Sequence, residues 1–266
     1  MKKIGFIGVG NMGSALVLAA SKSEDIDILI TDKLASKVDQ LASDLKVTAS
    51  DAVTIASECD LIFIGVKPSF VTAALEEILP YIKERNEKPT LVSMAAGVSI
   101  KSIGERSEML CPVIRIMPNT PVSVGEGMIV YDACPAVTNE AEKLFLHVMK
   151  HAGRLDRVPE SLIDASSALS GCGPAFVFMF IESLADGAVA CGLPRDKALA
   201  YAEQTVLGAA KLALESGKHP GELKDAVCSP GGSTIEGVRT LEESAFRAAA
   251  VDAVIASYEK TKTLGK

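Results

Sequence analysis

Three glycines, Gly8, Gly10 and Gly13, follow the short apolar run Ile4-Gly5-Phe6-Ile7 and precede the helix-forming residues Ser14-Ala15-Leu16. A G-x-G-x-x-G spacing between a strand and a helix is that of a turn that holds a dinucleotide diphosphate. Each glycine has its own task. Gly8 lets the chain leave the strand in a tight turn, Gly10 lacks the Cβ that would block approaching phosphates, and Gly13 lets the helix lie close to the sheet. Backbone N–H groups at the start of the helix then face the anion, where the helix dipole adds about 0.3–1 kcal/mol. The pattern also calls for an acidic residue roughly 20 positions on, at the tip of the next strand, to bond a ribose hydroxyl. Ile26-Asp27-Ile28-Leu29-Ile30-Thr31-Asp32 supplies it in Asp32.

A second stretch with chemical potential is Ser229-Pro230-Gly231-Gly232-Ser233-Thr234, a turn running straight into a helix. It offers free N–H groups, three hydroxyls and a positive dipole end, enough to hold a small carboxylate without an arginine. The plainer reading is a capped helix start with Ser233 as N-cap. His147 and His151 stand four apart, as zinc ligands on a helix would, but Val148 occupies the position where a metalloprotease needs Glu. They read as a surface pair.

The elements that position these residues follow from periodicity. Apolar residues at 34, 38, 41 and 45 mark a helix, and Asp60–Val66 reads as a buried strand ending at Lys67-Pro68. A helix runs from Pro68 or Ser69 to about Ile82, then come strands at Thr90–Gly97 with its exit turn and at Val113–Met117, stopped by Pro118-Asn119-Thr120-Pro121. Gly127–Val130 and Leu155–Val158 give two more short strands around a helix from Asn139 to His151, and Ser99 reads as a helix cap. Such alternation predicts a doubly wound, mainly parallel sheet over residues 1–159, whose ligand sits beyond the carboxyl ends of the strands. That rule collects the glycine turn, Asp32, Val66-Lys67-Pro68, Ala95-Ala96-Gly97 and Met117–Pro121 on one rim. From about Ser161 the strands stop, and residues 160–266 read as all-α, with helices at Pro174–Cys191, Arg195–Glu215, Pro220–Val227 and Ser244–Lys262. Many inward positions there are Ala or Gly, which lets helices approach closely.

Bulk properties narrow the function classes. Net charge is −7, so no basic footprint for nucleic acid or anionic lipid is present. Cys59, Cys111, Cys134, Cys172, Cys191 and Cys228 form no C-x-x-C pair and read as small buried hydrophobes in a reducing compartment. Met1-Lys2-Lys3 and the following apolar residues imitate a secretory signal, but Gly8, Gly10, Asn11 and Gly13 break the run, and cleavage would remove the first strand. No run approaches the ~18 consecutive apolar residues of a bilayer span. The expectation is a cytoplasmic protein with no membrane or nucleic-acid partner.

FIGVGNMGSA, VKP, SMAAG, RIMPNTP, ALSGCGPAF and especially LKDAVCSPGGSTIEGVRTLE together resemble the pyrroline-5-carboxylate reductases, from end to end of the chain. The resemblance implies a Rossmann-type N-terminal domain that binds NADPH or NADH, an all-α C-terminal dimerisation domain, and active sites shared between the two subunits of a homodimer. In that family dimers often assemble further into decamers. The reaction implied is hydride transfer to the imine carbon of 1-pyrroline-5-carboxylate, giving L-proline. Ile7, Gly8, Val9, Gly10, Asn11, Met12, Val66, Lys67, Pro68, Ala95, Ala96 and Gly97 would line the cofactor. Met117, Pro118, Asn119 and Thr120 would sit near the nicotinamide, and Ser229, Gly232, Ser233 and Thr234 would hold the substrate carboxylate, with the Thr234 hydroxyl near the ring nitrogen. Gly171-Cys172-Gly173-Pro174 would shape the pocket floor, Cys172 standing where relatives often have Ser. Asp32 is suited to a free ribose hydroxyl rather than a 2′-phosphate, an effect Lys33 could offset. A β-hydroxyacid dehydrogenase would need a lysine on the helix after the glycine turn, and Pro174 to Glu182 contains none.

Overall fold

A computed structural model describes residues 1–263. Two compact units are present, Met1–Cys172 together with the chain from Ser257, and Gly173–Ala256. The first begins β1 (Lys2–Ile7), α1 (Asn11–Ala20), β2 (Ile26–Thr31), α2 (Ala35–Leu45), β3 (Thr48–Ala49), α3 (Ala52–Glu58) and β4 (Leu61–Ile64). It continues through α4 (Val71–Glu84), β5 (Thr90–Ser93), α5 (Ile100–Arg106), β6 (Val113–Met117), β7 (Gly127–Ala133), α6 (Asn139–Met149), β8 (Gly153–Arg157) and α7 (Glu160–Ser170).

The eight strands lie in the order β3-β2-β1-β4-β5-β6-β7-β8. Every neighbouring pair is parallel except β6 with β7. The order reverses between β1 and β4, so α1 and the chain after β4 diverge there and leave a crevice at the strand ends. Period-two side-chain alternation explains the two faces. Ile4, Phe6, Leu61, Phe63 and Phe145 belong to one core, and Ile7, Ile55, Ile62, Ile64, Leu75 and Ile78 to the other. The rings of Phe6 and Phe63 stack at 4.4 Å across adjacent strands.

Local chemistry sets the element ends. Asp51 caps α3 by accepting from the Thr54 N–H at 2.7 Å, Ser99 caps α5 through Ser102, and Thr138 caps α6 through Ala141. Pro80 sits inside α4, which continues to Glu84. Helix α7 carries no strong apolar stripe; its inward residues are Ile163, Ser167 and Ala168. What anchors it is Arg115 on β6, only 4% exposed, which bonds Glu160 at 3.2 Å and Asp164 at 2.7 Å. Glu160 also accepts from the Ile100 N–H at 2.7 Å, joining α5 to the same network.

The second unit contains α8 (Gly173–Ala190), α9 (Arg195–Ser216), α10 (Pro220–Val227) and α11 (Ser233–Glu243), followed by α12 (Phe246–Thr261), which begins in it. Helices α8 and α9 pack through small residues, Ala185 against Ala198 and Ala202. Phe180 and Phe246 meet at 5.6 Å between ring centroids. The outward faces are apolar: Phe178 and Met179 on α8 are 61% and 67% exposed, and Leu199, Leu207 and Leu212 on α9 are exposed as well. Leu199 and Leu212 face out, whereas Ala198 and Ala202 on the same helix are buried.

Candidate functional site

The glycine turn connects β1 to α1 with Gly10 at the N-cap and no side chain capping the helix. Gly8 adopts a φ of +94°, and a Cβ there would lie 2.8 Å from backbone atoms of Gly65 and Val66. A Cβ on Gly13 would come within 2.3 Å of the Gly8 carbonyl oxygen, so helix and turn are in direct contact. Around the Cβ position of Gly10 nothing lies within 4 Å. The three glycines therefore divide their work: Gly8 and Gly13 are required by the protein's own packing, and Gly10 by something the protein leaves room for. Open space beside uncapped N–H groups fits a diphosphate.

That space is a cavity of about 560 Å³ walled by Gly10, Asn11, Met12 and Gly13, by Gly65, Val66 and Lys67 after β4, by Met94 after β5, and by Met117 and Pro118 after β6. A second cavity of about 530 Å³ shares Gly10, Gly65, Val66 and Lys67 and extends past Ile7, Gly8, Thr31, Asp32 and Lys33 toward Asp51, Phe70 and Glu77. The two run along the strand ends on either side of the β1–β4 switch, where this fold takes a dinucleotide. Asp32 Oδ2 accepts from the Val9 N–H at 2.8 Å and Oδ1 from the Leu34 N–H at 3.2 Å, so the acidic residue also braces the glycine turn. Ser14 Oγ donates to the Val9 carbonyl at 2.7 Å from the other side.

Of the residues singled out by sequence, Ile7, Gly8, Gly10, Asn11, Met12, Gly13, Asp32, Lys33, Val66, Lys67, Met117 and Pro118 come together on these walls. Val9 is fully buried behind the turn, Ala95 is buried below the rim, and Pro68 opens a short 3-10 turn. Ala96 and Gly97 follow on the same strand exit, with Gly97 at a φ of +73°. Asn119 is buried with its amide committed to the backbone: Nδ2 donates to the Ser170 carbonyl and Oδ1 accepts from the Met128 N–H, both at 2.9 Å. It pins the Pro118 turn to β7 and to the C-terminal end of α7, where Gly171 and Cys172 follow. Met94, Gly65 and Phe70 escaped sequence reading. The first two sit directly after a strand, the signal that would have found them; Phe70 is a half-exposed aromatic in the turn before α4.

In the helical unit, α11 starts without a side-chain cap, and its N-cap is Gly232 rather than Ser233, which is the first helical residue. Gly231 has a φ of +68°, and the Gly232 N–H donates to the Ser229 carbonyl at 3.1 Å, closing the turn. Ser229, Ser233 and Thr234 are exposed, so hydroxyls and uncapped N–H groups share one small surface.

Cysteine placement is mixed. Burial pushes the Cys59 thiol up to about 12 and the Cys111 thiol up to about 11, whereas Cys191 is exposed, contrary to the expectation that the cysteines are mostly buried. Helix α6 ends at Met149, so His151 lies beyond it, and the His147 ring contacts the Glu24 carbonyl at 3.1 Å.

A sheet of this order with an uncapped helix over its switch point defines a dinucleotide-binding protein of the doubly wound α/β class. Residues 3–97 match a domain described as NADP oxidoreductase coenzyme F420-dependent, and residues 160–264 one described as pyrroline-5-carboxylate reductase dimerisation. The chain belongs to the pyrroline-5-carboxylate reductase family. It is 41% identical to the Escherichia coli pyrroline-5-carboxylate reductase over 272 residues, covering 100% of this chain and 99% of that one, and 41% identical to the Methanosarcina acetivorans protein of the same name, covering 100% and 98%. Among solved structures it superposes on the Plasmodium falciparum pyrroline carboxylate reductase with NADP bound at a TM-score of 0.86 and 31% identity, covering 100% and 98% of the two chains. The dimerisation domain indicates self-association. The outward apolar faces of α8 and α9 give that a physical basis, and the face of α8 accounts for part of the apolarity of the stretch Glu160–Ala190, which carries Glu160, Asp164, Glu182 and Asp186.

Proposed function

We propose that this protein reduces 1-pyrroline-5-carboxylate to L-proline with NADPH or NADH, the last step of proline biosynthesis. The observation that carries the reading is the open space at Gly10 beside the uncapped start of α1, in a chain matching this family from end to end. When bound, the nicotinamide coenzyme supplies a hydride to the imine carbon. The remaining work belongs to the protein, and most of it is positioning, which can supply about 7–11 kcal/mol toward a bimolecular step.

The α1 N-terminus and Lys67 would hold the diphosphate, and Val66, Met94, Met117 and Pro118 would form an apolar wall against the nicotinamide. Asn119 keeps that wall in register through its two backbone bonds. Ser229, Gly232, Ser233 and Thr234 bind the substrate carboxylate with N–H groups and hydroxyls at the start of α11. The Thr234 hydroxyl, or a water it holds, bonds the ring nitrogen. A protonated cyclic imine is already electrophilic, so the turn needs no strong acid, and residues 228–234 contain none.

Residues 1–159 serve as the cofactor domain, and residues 160–266 bind substrate and dimerise. In the homodimer each active site is completed by the partner's helices, and dimers assemble further into decamers; the protein is cytoplasmic. The test is consumption of reduced coenzyme on adding pyrroline carboxylate, with proline measured in parallel. Equal amounts of coenzyme oxidised and proline formed support the reading. A folded protein that consumes coenzyme with neither this nor any other cyclic imino acid overturns it.

A further inference from the structure

We propose that the second cavity selects NADH over NADPH, with Asp32 as the discriminating residue; the proposal rests on reading the two cavities as a dinucleotide site. An acid at the end of the second strand bonds a free ribose 2′-hydroxyl, whereas a 2′-phosphate needs a nearby cation, usually arginine. Three observations place this chain on the first side.

Asp32 cannot turn away. Its two oxygens are held separately, Oδ2 by the Val9 N–H at 2.8 Å and Oδ1 by the Leu34 N–H at 3.2 Å. Each oxygen keeps lone-pair capacity for a ribose hydroxyl, but the carboxylate as a whole is fixed on the cavity wall. A phosphate arriving at that wall meets a charge that has no other rotamer to adopt without releasing the glycine turn.

The nearest candidate counter-charge is engaged elsewhere. Lys33 Nζ sits over the Phe70 ring, 5.0 Å from its centroid, on the same cavity. Lys67 lies where the two cavities join, beside Gly10, which is the position for the diphosphate rather than for the ribose. Among the described residues no arginine lines this cavity.

The remaining charged neighbours are acidic. Asp51 and Glu77 line the same cavity, and Asp51 is itself fixed by bonds from the Thr54 N–H and hydroxyl. A 2′-phosphate would add to three carboxylates at this end of the cleft, whereas a hydroxyl would find acceptors.

The experiment is calorimetric titration of the full-length protein with NAD⁺ and with NADP⁺, and with ADP-ribose and its 2′-phosphate, alongside kcat/KM for the reduced coenzymes. Wild type should favour the unphosphorylated form by about tenfold or more, and the ratio should narrow as salt rises, because the discrimination is between like charges. Asp32→Ser should bring the ratio near one or reverse it by strengthening binding of the phosphorylated form. Asp32→Asn keeps an oxygen for the Val9 N–H while removing the charge and giving up the Leu34 bond, so it should shift the ratio the same way with the glycine turn still braced at Val9. Equal or tighter binding of NADP⁺ by wild type, or an unchanged ratio in both variants, overturns the proposal alone. Failure of the folded protein to bind either coenzyme overturns it together with the dinucleotide reading.

Discussion

Replacing Gly10 and Gly13 separately by alanine should split one motif into its two physical components. At Gly10 the added methyl meets nothing within 4 Å, and the backbone φ of −58° is negative, so no left-handed strain opposes alanine. Stability should then stay within about 0.5 kcal/mol of wild type, since the entropy alanine removes from the unfolded chain offsets its weakness as an N-cap. The methyl projects into the space the diphosphate would occupy, so dinucleotide affinity should fall at least about tenfold. At Gly13 the methyl would lie 2.3 Å from the Gly8 carbonyl oxygen, which is backbone and cannot rotate aside. Helix α1 must shift, and an overpacked contact of this kind typically costs about 1–3 kcal/mol. Urea denaturation followed by circular dichroism gives the stabilities, and titration with NADH fluorescence gives the affinities. The reasoning fails if folded Gly10→Ala binds coenzyme like wild type, or if Gly13→Ala is as stable as wild type.

Other substitutions test the rest of the account. Asn119→Ala should destabilise the protein by roughly 1–3 kcal/mol, because the Met128 N–H loses its acceptor in a buried setting, and Asn119→Asp should not recover the loss in the same urea titration, because its second oxygen would face the Ser170 carbonyl. Thr234→Ala should leave the denaturation midpoint unchanged, since the residue is exposed, while lowering kcat about tenfold or more; unchanged kinetics would remove Thr234 from the mechanism. Burial raises the thiols of Cys59 and Cys111 from an ordinary value of 9.0 to about 12 and about 11, so the unfolded chain releases their protons first as pH rises. Stability should therefore be level below pH 9 and decline between pH 9 and about 12, with a shallower decline in Cys59→Ala; stability that rises over that range would contradict the burial argument.

The first half of the fold was legible because its strands are buried on both faces and read as continuous apolar runs, Leu61–Ile64 above all. The glycine spacing and the strand-end rule collect Val66, Lys67, Met117 and Pro118 on one rim, and the same four residues line one cavity. Helix α7 was illegible for a physical reason. Its buried face is Ile163, Ser167 and Ala168, and it is held by Arg115 from β6, a contact spanning 45 residues to Glu160 that no local pattern announces. Strand β3 has two residues and α3 seven, too short for a period to show. Asn119 was marked for its neighbours in sequence, yet its side chain bonds its own backbone surroundings, something only the fold could reveal. In the helical unit, the run of alanines correctly signalled close packing of α8 on α9. The apolar residues beside them point outward, because periodicity reports that a face is covered without reporting which chain covers it.

The most direct test of the central claim follows the hydrogen itself. Reduced coenzyme deuterated at nicotinamide C4, prepared as each of its two epimers, is incubated with the protein and 1-pyrroline-5-carboxylate, and the proline formed is analysed by mass spectrometry. The account predicts a single deuterium at the former imine carbon from one epimer and none from the other, since a nicotinamide seated against the wall of Val66, Met94, Met117 and Pro118 would present one face to the substrate. Proline without deuterium from either epimer, or label transferred equally from both, would contradict it.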